Sequence, residues 1–123
     1  MLVLVGGALG ALSRFLVGTL VFRWYAGVFP LGTFLINVTG SFLIGVLMML
    51  FLNRPMIDAN WRLFLVTGIL GGYTTFSSFE WETLAAMRSG AGPVALLYVF
   101  SSVALGLFAA WLGAVLSNRL WPQ

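Results

Sequence analysis

The composition of the chain is that of a membrane protein: of its 123 residues, 61% are hydrophobic and 7% are charged, and the mean hydropathy is +1.06, far outside the range of soluble domains. The six basic residues are arginines scattered singly, so the net charge of +3 forms no basic patch, and nucleic-acid binding is excluded. Because the sequence has no cysteine and no histidine, it lacks disulfides, thiolate metal ligands and the commonest general base, and we predict an integral membrane protein that is not an enzyme.

Four apolar segments are long enough to cross a bilayer, and short turn-like connectors separate them. We predict an all-α protein with a single transmembrane domain over residues 1–123 and both termini on the same side of the membrane. The predicted spans are residues 2–22, 31–52, 62–88 with a break near 72–78, and 93–117.

The charges flanking the spans indicate almost no preferred orientation. Arg54, Arg62 and Arg119 lie on the side of the termini, and Arg23 and Arg88 lie on the other side. A short protein with few charges would give this result. So would dual topology, in which copies insert in both directions and pair antiparallel around a two-fold axis.

The first segment places small residues and one cation on a single stripe, with Gly6, Gly10, Arg14 and Gly18 at intervals of four. It lacks a basic leader, so we expect a retained helix and not a cleaved signal peptide. An arginine inside a bilayer must face protein, water or an anion. Arg14 therefore either bonds helix carbonyls near the interface or attracts anions.

The second segment carries a polar stripe formed by Thr33, Asn37, Ser41 and Gly45, again four apart. A single hydroxyl can bond its own helix, but the carboxamide of Asn37 cannot do so easily and must be satisfied elsewhere. Asn37 therefore either joins two helices or contacts a permeant species.

The third segment contains Gly68, Gly71 and Gly72, followed at residues 73–79 by a polar, β-branched and aromatic run. This run is a poor continuous helix. A break at membrane depth would free backbone carbonyls that lipid cannot satisfy, and such carbonyls suit a hard cation such as Na⁺. The alternative is an unbroken helix whose glycines allow close packing.

Two phenylalanines, Phe76 and Phe79, lie three residues apart in this run, and Glu82 follows on the same helical face. Such phenylalanines ordinarily face lipid or the protein core. Their ring edges carry partial positive charge, however, so edges turned toward a narrow path could help to solvate a dehydrated anion.

The fourth segment presents the hydroxyls of Tyr98 and Ser102 on one face, followed by Gly106 and Ala110 at intervals of four. Two hydroxyl donors therefore point the same way along this helix.

Three motifs identify the family that the sequence resembles. They are Gly-Gly-x-x-Gly-Ala-x-x-Arg over residues 6–14, Gly-Thr-x-x-x-Asn-x-x-Gly-Ser-Phe-x-x-Gly over 32–45, and Gly-Gly-Tyr-Thr-Thr-Phe-Ser-Ser-Phe over 71–79. In order and over nearly the whole length, the chain resembles the Fluc (CrcB) family of fluoride channels. It departs from the family pattern at Ser78, where threonine is more usual, and at Gly106, where some relatives carry a hydroxyl.

The resemblance implies a dual-topology antiparallel homodimer with two fluoride pathways, each lined by both subunits. It implies a structural Na⁺ on the dimer axis, held by the backbone carbonyls of Gly71 and Thr74. Asn37, Phe76 and Phe79 would form the centre of the pathway. The remaining pathway residues that it implies are hydroxyl donors and two charged residues toward the ends: Thr75, Ser77, Ser78, Tyr98, Ser102, Arg14 and Glu82.

The implied activity is passive export of fluoride across the inner (cytoplasmic) membrane, which lowers intracellular fluoride and its toxicity. The sequence has no nucleotide-binding loop, and its glutamates lie outside the apolar core. A proton-coupled exporter of the small multidrug resistance type is the alternative, but that class has a glutamate in its first helix, where this chain has only Arg14. A non-transporting membrane assembly subunit would explain the packing glycines but not the run from Thr74 to Phe79.

Overall fold

The computed structural model describes residues 1–122, and every regular element in that range is helical. Three of the helices, Leu2–Trp24, Leu31–Asn53 and Gly92–Leu120, are long and apolar enough to cross a membrane. The chain is therefore an all-α membrane protein, as predicted from its composition. In chain order the elements are α1 (Leu2–Trp24), α2 (Leu31–Asn53), α3 (Ala59–Arg62), a π-helical segment (Leu63–Leu70), α4 (Gly71–Tyr73), α5 (Phe76–Arg88) and α6 (Gly92–Leu120).

Local sequence explains where the shorter elements begin and end. The Asp58 side chain accepts a hydrogen bond of 2.8 Å from the Asn60 amide and so caps α3. Gly90 has a φ of +83°, which a residue with a side chain rarely adopts, and it reverses the chain between α5 and α6. Pro93 lies in the first turn of α6, where its missing amide costs no helical bond.

Glycines bring α1 into backbone contact with the π-helical segment and α4. A Cβ atom on Gly6 would lie 2.9 Å from the Cα atom of Gly68, and one on Gly72 would lie 3.1 Å from the amide nitrogen of Ala11. Neither distance leaves room for a methyl group. Because lipid tails are as apolar as leucine, this close packing, and not a hydrophobic driving force, holds the helices together.

The most extensive helix pair is formed by α2 and α6. Gly45 packs against the backbone of Ala110, and Gly113 packs against the backbone of α2. At the end of the pair, the buried side chain of Asn53 donates hydrogen bonds to Asn118 Oδ1 at 2.9 Å and to the Trp121 carbonyl at 2.8 Å. The first bond joins side chains from the ends of both helices, and the second satisfies the backbone carbonyl of Trp121 just after α6.

Candidate functional site

Two residues with extended backbone, Thr74 and Thr75, separate α4 from α5. Thr74 has φ −78° and ψ 158°, and Thr75 has φ −151° and ψ 121°. The glycines and β-branched residues around this point favour helix poorly. The Thr74 amide keeps its helical bond to the Leu70 carbonyl, but the Thr74 carbonyl and the Thr75 amide and carbonyl must be satisfied by other parts of the protein.

The side chain of Asn37 supplies two of these bonds. Its amide Nδ2 donates to the Thr75 carbonyl at 2.9 Å, and its Oδ1 accepts from the Thr75 amide at 2.9 Å. The carboxamide thus pairs with one residue of extended backbone as a neighbouring β-strand would. Of the two interpretations open from sequence, the structure shows that Asn37 joins α2 to the extended residues. Its second N–H remains available to a further acceptor.

Thr74 is held from two sides. Its amide and its hydroxyl both donate to the Leu70 carbonyl, at 3.0 Å and 2.9 Å. Its own carbonyl accepts from Arg14 Nη1 at 3.3 Å. The methyl group of Thr74 packs on α2 at Gly40, where a Cβ atom would collide with it. The Arg14 guanidinium therefore bonds a backbone carbonyl, one of the two roles that its position in the sequence left open.

The hydroxyl of Thr75 caps the N-terminus of α5. It accepts from the Ser78 amide at 3.3 Å and donates to Ser78 Oγ at 3.0 Å, which is the arrangement of a helix N-cap. Ser77, by contrast, lies on the exposed surface of α5. The structure therefore brings Thr75 and Ser78 together and places Ser77 apart from them.

A first cavity of about 390 Å³ lies on one side of the extended residues. Asn37, Phe76 and Phe79 line it, together with Ser102, whose hydroxyl oxygen is buried without a hydrogen-bond partner in the part of the chain that the structure describes. Such a hydroxyl is expected to bond water or an ion. The remaining lining residues are Gly40, Ser41, Ile44, Val66, Leu70, Gly71, Thr74, Thr75 and Val103.

A second cavity of about 460 Å³ lies on the other side and shares Thr75 as a wall with the first. Charged and polar side chains line it: Arg14, Thr33, Ser78 and Glu82. The carboxylate of Glu82 accepts hydrogen bonds from Thr33 Oγ1 at 2.7 Å and from the Tyr98 hydroxyl at 2.8 Å. Glu82 thus pairs with two hydroxyls from two other helices.

A row of three neighbouring aromatic rings extends from the first cavity to Glu82 in the second. The ring centroids of Phe76 and Phe79 are 5.7 Å apart, and those of Phe79 and Tyr98 are 5.0 Å apart. Tyr98 is fully buried, and its hydroxyl reaches the second cavity through Glu82. Phe76 is 71% exposed in the single chain. A large apolar side chain exposed beside a cavity is expected to contact lipid or another protein surface.

Thr33 and Ser41 belong to the site, but they were not predicted as site residues from the sequence. Thr33 bonds Glu82, and Ser41 lines the first cavity. The stripe of polar residues at intervals of four on α2 contains both, so the signal was present. A hydroxyl on a membrane helix can bond its own helix, as Thr39 does to the Leu35 carbonyl, and only tertiary contacts distinguish the two cases.

Backbone oxygens are the metal ligands that this site can offer. Residues 1–122 contain no group of three or more acidic or other strong ligating side chains. The carbonyl of Thr74 keeps a second lone pair beside its bond to Arg14, and the amide of Thr75 is turned to Asn37 and away from the Gly71 carbonyl. Hard carbonyl oxygens suit a hard cation, so Gly71 and Thr74 fit part of the ligand set of Na⁺.

The helices and the two cavities define a small multi-pass membrane protein in which polar and aromatic side chains surround a short extended stretch of backbone. Residues 1–114 match the profile of the family described as CrcB-like protein, Camphor Resistance (CrcB). The chain belongs to this CrcB family.

Curated relatives match the chain over nearly all of its length. It is 49% identical over 119 residues to the fluoride-specific ion channel FluC of Solibacter usitatus, covering 97% of this chain and 98% of the relative. It is also 49% identical to FluC of Acidobacterium capsulatum, covering 96% and 94% of the two chains. FluC of Thermus thermophilus is 48% identical, covering 98% and 95%.

Proposed function

We propose that this protein is a fluoride-specific ion channel, not an enzyme, and that it exports fluoride passively across the inner (cytoplasmic) membrane. The names of its relatives support this function, and the family resemblance seen in the sequence implied it. The structural observation that carries the proposal is the position of Asn37, which lines the first cavity beside the neighbouring rings of Phe76 and Phe79 and bonds Thr75, the residue that both cavities share.

Residues 59–88 form a fourth, interrupted membrane span in this proposal. The 13 residues of α5 extend about 20 Å at 1.5 Å per residue, which is too short for a hydrocarbon core of about 30 Å. Joined to α3, the π-helical segment and α4, the combined element is long enough to cross. Irregular backbone is tolerated at membrane depth only where protein or water surrounds it, and the bonds from Asn37 and Arg14 to the extended residues meet that condition.

A second copy in the opposite orientation completes the site. Gly71 and Phe76 are both exposed in the single chain although they line the first cavity. Lipid cannot satisfy polar backbone there, so another protein surface is the better neighbour. The nearly equal number of arginines on the two sides allows insertion in both directions. The working unit is therefore an antiparallel homodimer.

Fluoride is small and strongly hydrated, so a pathway must replace its water with closely spaced donors and keep several weak sites. Asn37 has one N–H beyond its bond to Thr75, and the hydroxyl of Ser102, in the same cavity, has no partner among residues 1–122. Phe76 and Phe79 contribute ring edges between them. The other proposed pathway residues are Thr75, Ser77, Ser78, Tyr98, Arg14 and Glu82, with the last two toward the ends.

A structural Na⁺ on the dimer axis would be held by the carbonyls of Gly71 and Thr74 from both copies. Bound there, it would supply a positive charge that favours the partial negative charges of these carbonyl oxygens. The chain's own residues orient these carbonyls: Arg14 contacts that of Thr74, and Asn37 draws the Thr75 amide away from that of Gly71.

The direction of flow follows from the membrane potential. A negative cell interior drives anions outward, at about 2.3 kcal/mol per charge for each 100 mV. The Glu80 side chain is exposed, and the Glu82 carboxylate is bonded to two hydroxyls, so no chain of acidic groups crosses the protein to couple protons to transport. Passive export of this kind lowers intracellular fluoride and its toxicity.

Fluoride release from liposomes tests the proposed function. Purified protein is reconstituted, fluoride or chloride is trapped inside, and efflux is followed with ion electrodes. We expect rapid fluoride release without chloride release, lost in Phe79→Ile and retained in Phe108→Ile, which alters an exposed phenylalanine on α6. No fluoride release from folded protein would contradict the channel and direct attention to a proton-coupled exporter or a non-transporting subunit.

A further inference from the structure

We infer that Asn37 is a positioning residue for the cation site as well as a lining residue of the anion pathway. This inference rests on the proposed sodium site. One carboxamide would then support two ligands of the cation, because its bonds to Thr75 determine the direction of the backbone on either side of Thr74. The pathway and the cation site would share a single structural support.

Asn37 keeps the carbonyl of Gly71 free of its helical donor. The Thr74 amide donates to the Leu70 carbonyl four residues earlier, which is the last bond of the helical pattern. In a continuous helix the next amide, that of Thr75, would donate to the Gly71 carbonyl. It donates to Asn37 Oδ1 at 2.9 Å instead. The acceptor on α2 thereby keeps the Gly71 oxygen available to a cation.

Asn37 also determines the direction of the Thr74 carbonyl through the Thr75 amide. A Thr75 amide without Asn37 would be unsatisfied at membrane depth, and its nearest helical acceptor is the Gly71 carbonyl. The amide and hydroxyl of Thr74 are already bonded to Leu70, so rotation of ψ at Thr74 from 158° to a helical value would restore that bond. The same rotation turns the Thr74 carbonyl away from its present direction. Loss of Asn37 would therefore remove both proposed ligands together.

The arrangement of the first cavity supports this shared role. Asn37, Gly71 and Thr74 all line it, and Gly71 lies on the exposed surface where a second copy would approach. Ser41 lies one helical turn from Asn37 on the same stripe and lines the same cavity. Because Ser41 belongs to this cavity, the control for loss of a hydroxyl is Ser13, which is exposed on α1 and donates to the Leu9 carbonyl of its own helix.

Sodium-dependent thermal unfolding tests the inference without any measurement of fluoride. The purified protein in detergent is titrated with NaCl against KCl of equal concentration, and the sodium concentration that gives half of the rise in Tm is compared among variants. We expect Asn37→Leu to raise this midpoint by about 10–100-fold, the usual effect of removing a group that orients a metal ligand. Ser13→Ala should keep the wild-type midpoint.

A second variant separates the two bonds of Asn37. Asn37→Asp keeps an oxygen that can accept from the Thr75 amide but loses the donor to the Thr75 carbonyl and adds a negative charge beside the cation site. It should therefore keep a sodium-specific rise in Tm, at a shifted midpoint, even if Asn37→Leu fails to fold. An Asn37→Leu midpoint equal to that of the wild type, or an Asn37→Asp protein without a sodium response, would overturn the inference.

Fluoride efflux from the same preparations separates this inference from the proposed function. A sodium-specific response in the wild type, lost in Asn37→Leu, supports the inference even if fluoride release is absent and the channel proposal fails. A wild-type protein that releases fluoride but shows no difference between NaCl and KCl would overturn the inference and the sodium site, and would leave the channel proposal intact.

Discussion

The side chain of Asn37 and the backbone of Thr75 exchange two hydrogen bonds of 2.9 Å, across 38 residues of sequence. A carboxamide is the smallest side chain that offers a donor and an acceptor in the spacing of a peptide group. This pairing satisfies the amide and carbonyl of Thr75, while the Leu70 carbonyl and Arg14 satisfy those of Thr74, so two extended residues can interrupt a helical element. It also places Asn37 where the two cavities share a wall.

The contact between Arg14 and Thr74 leads to a prediction about stability and transport. Arg14→Gln should lower the free energy of unfolding by about 1–3 kcal/mol, because a charge-assisted bond to a backbone carbonyl is lost. Fluoride efflux should slow as the extended residues become less fixed. Thermal unfolding in detergent and liposome efflux would measure the two effects. Arg23→Gln is the control, since Arg23 is exposed in the last turn of α1; equal losses in both variants would contradict this role.

The glycines of α1 differ in the space around them. A Cβ atom on Gly10 would collide with the Ile69 carbonyl, whereas one on Gly7 would meet no atom within 4 Å. We expect Gly10→Ala to destabilise the protein by about 1–3 kcal/mol through overpacking. Gly7→Ala should be neutral or stabilise the helix by up to about 1 kcal/mol. Parallel thermal unfolding of the two variants checks this, and a tolerated Gly10→Ala would mean that α1 can move away from the π-helical segment.

The two hydroxyl bonds of Glu82 predict that its charge supports the fold around the second cavity. Glu82→Gln should cost roughly 1.5–3 kcal/mol in the free energy of unfolding, because one bond to a charged acceptor becomes a neutral bond and the other must reverse or break. Tyr98→Phe should cost a comparable amount. Glu80→Gln, on an exposed side chain, should change stability by less than about 0.5 kcal/mol. Similar stabilities of Glu82→Gln and Glu80→Gln would show that these bonds contribute little.

Asn53 offers a test of stability that is separate from the pathway. Asn53→Ala should destabilise the protein by about 1–3 kcal/mol, because Asn118 Oδ1 and the Trp121 carbonyl lose their donor. The fluoride efflux rate per folded protein should stay at the wild-type value. Asn60→Ala, an exposed position, serves as the control. A large change in efflux for folded Asn53→Ala would show that the far end of α2 and α6 affects the pathway.

The sequence correctly predicted that the protein lies in a membrane and which segments of the chain carry its polar residues. The composition predicted an all-α membrane protein, and the motifs predicted the family; both are confirmed. The polar stripe on α2 contains Asn37 and Ser41, which line the first cavity, and Thr33, which lines the second. The roles of individual residues, the antiparallel dimer and the sodium site stay predictions.

Pairing between helices was not predictable from the sequence. Thr33 and Glu82 are separated by 49 residues, and the sequence around either residue does not identify the other as its partner. Thr39 and Thr33 are both threonines on α2, yet Thr39 donates to its own helix and pairs with the Tyr73 hydroxyl, whereas Thr33 bonds a carboxylate. Which of these occurs depends on how α2 is rotated against its neighbours, and the packing of glycines against backbone sets that rotation.

The sequence alone determined that this chain belongs in a bilayer and carries a polar, aromatic and glycine-rich run, because hydropathy and helix propensity are properties of neighbouring residues. The tertiary structure decided that Asn37 bonds Thr75, that Arg14 bonds Thr74 and that Glu82 takes two hydroxyls. The physical reason is that a buried polar group must be satisfied, but several partners are chemically equivalent, and only the packed positions of the helices determine which one lies within hydrogen-bond distance.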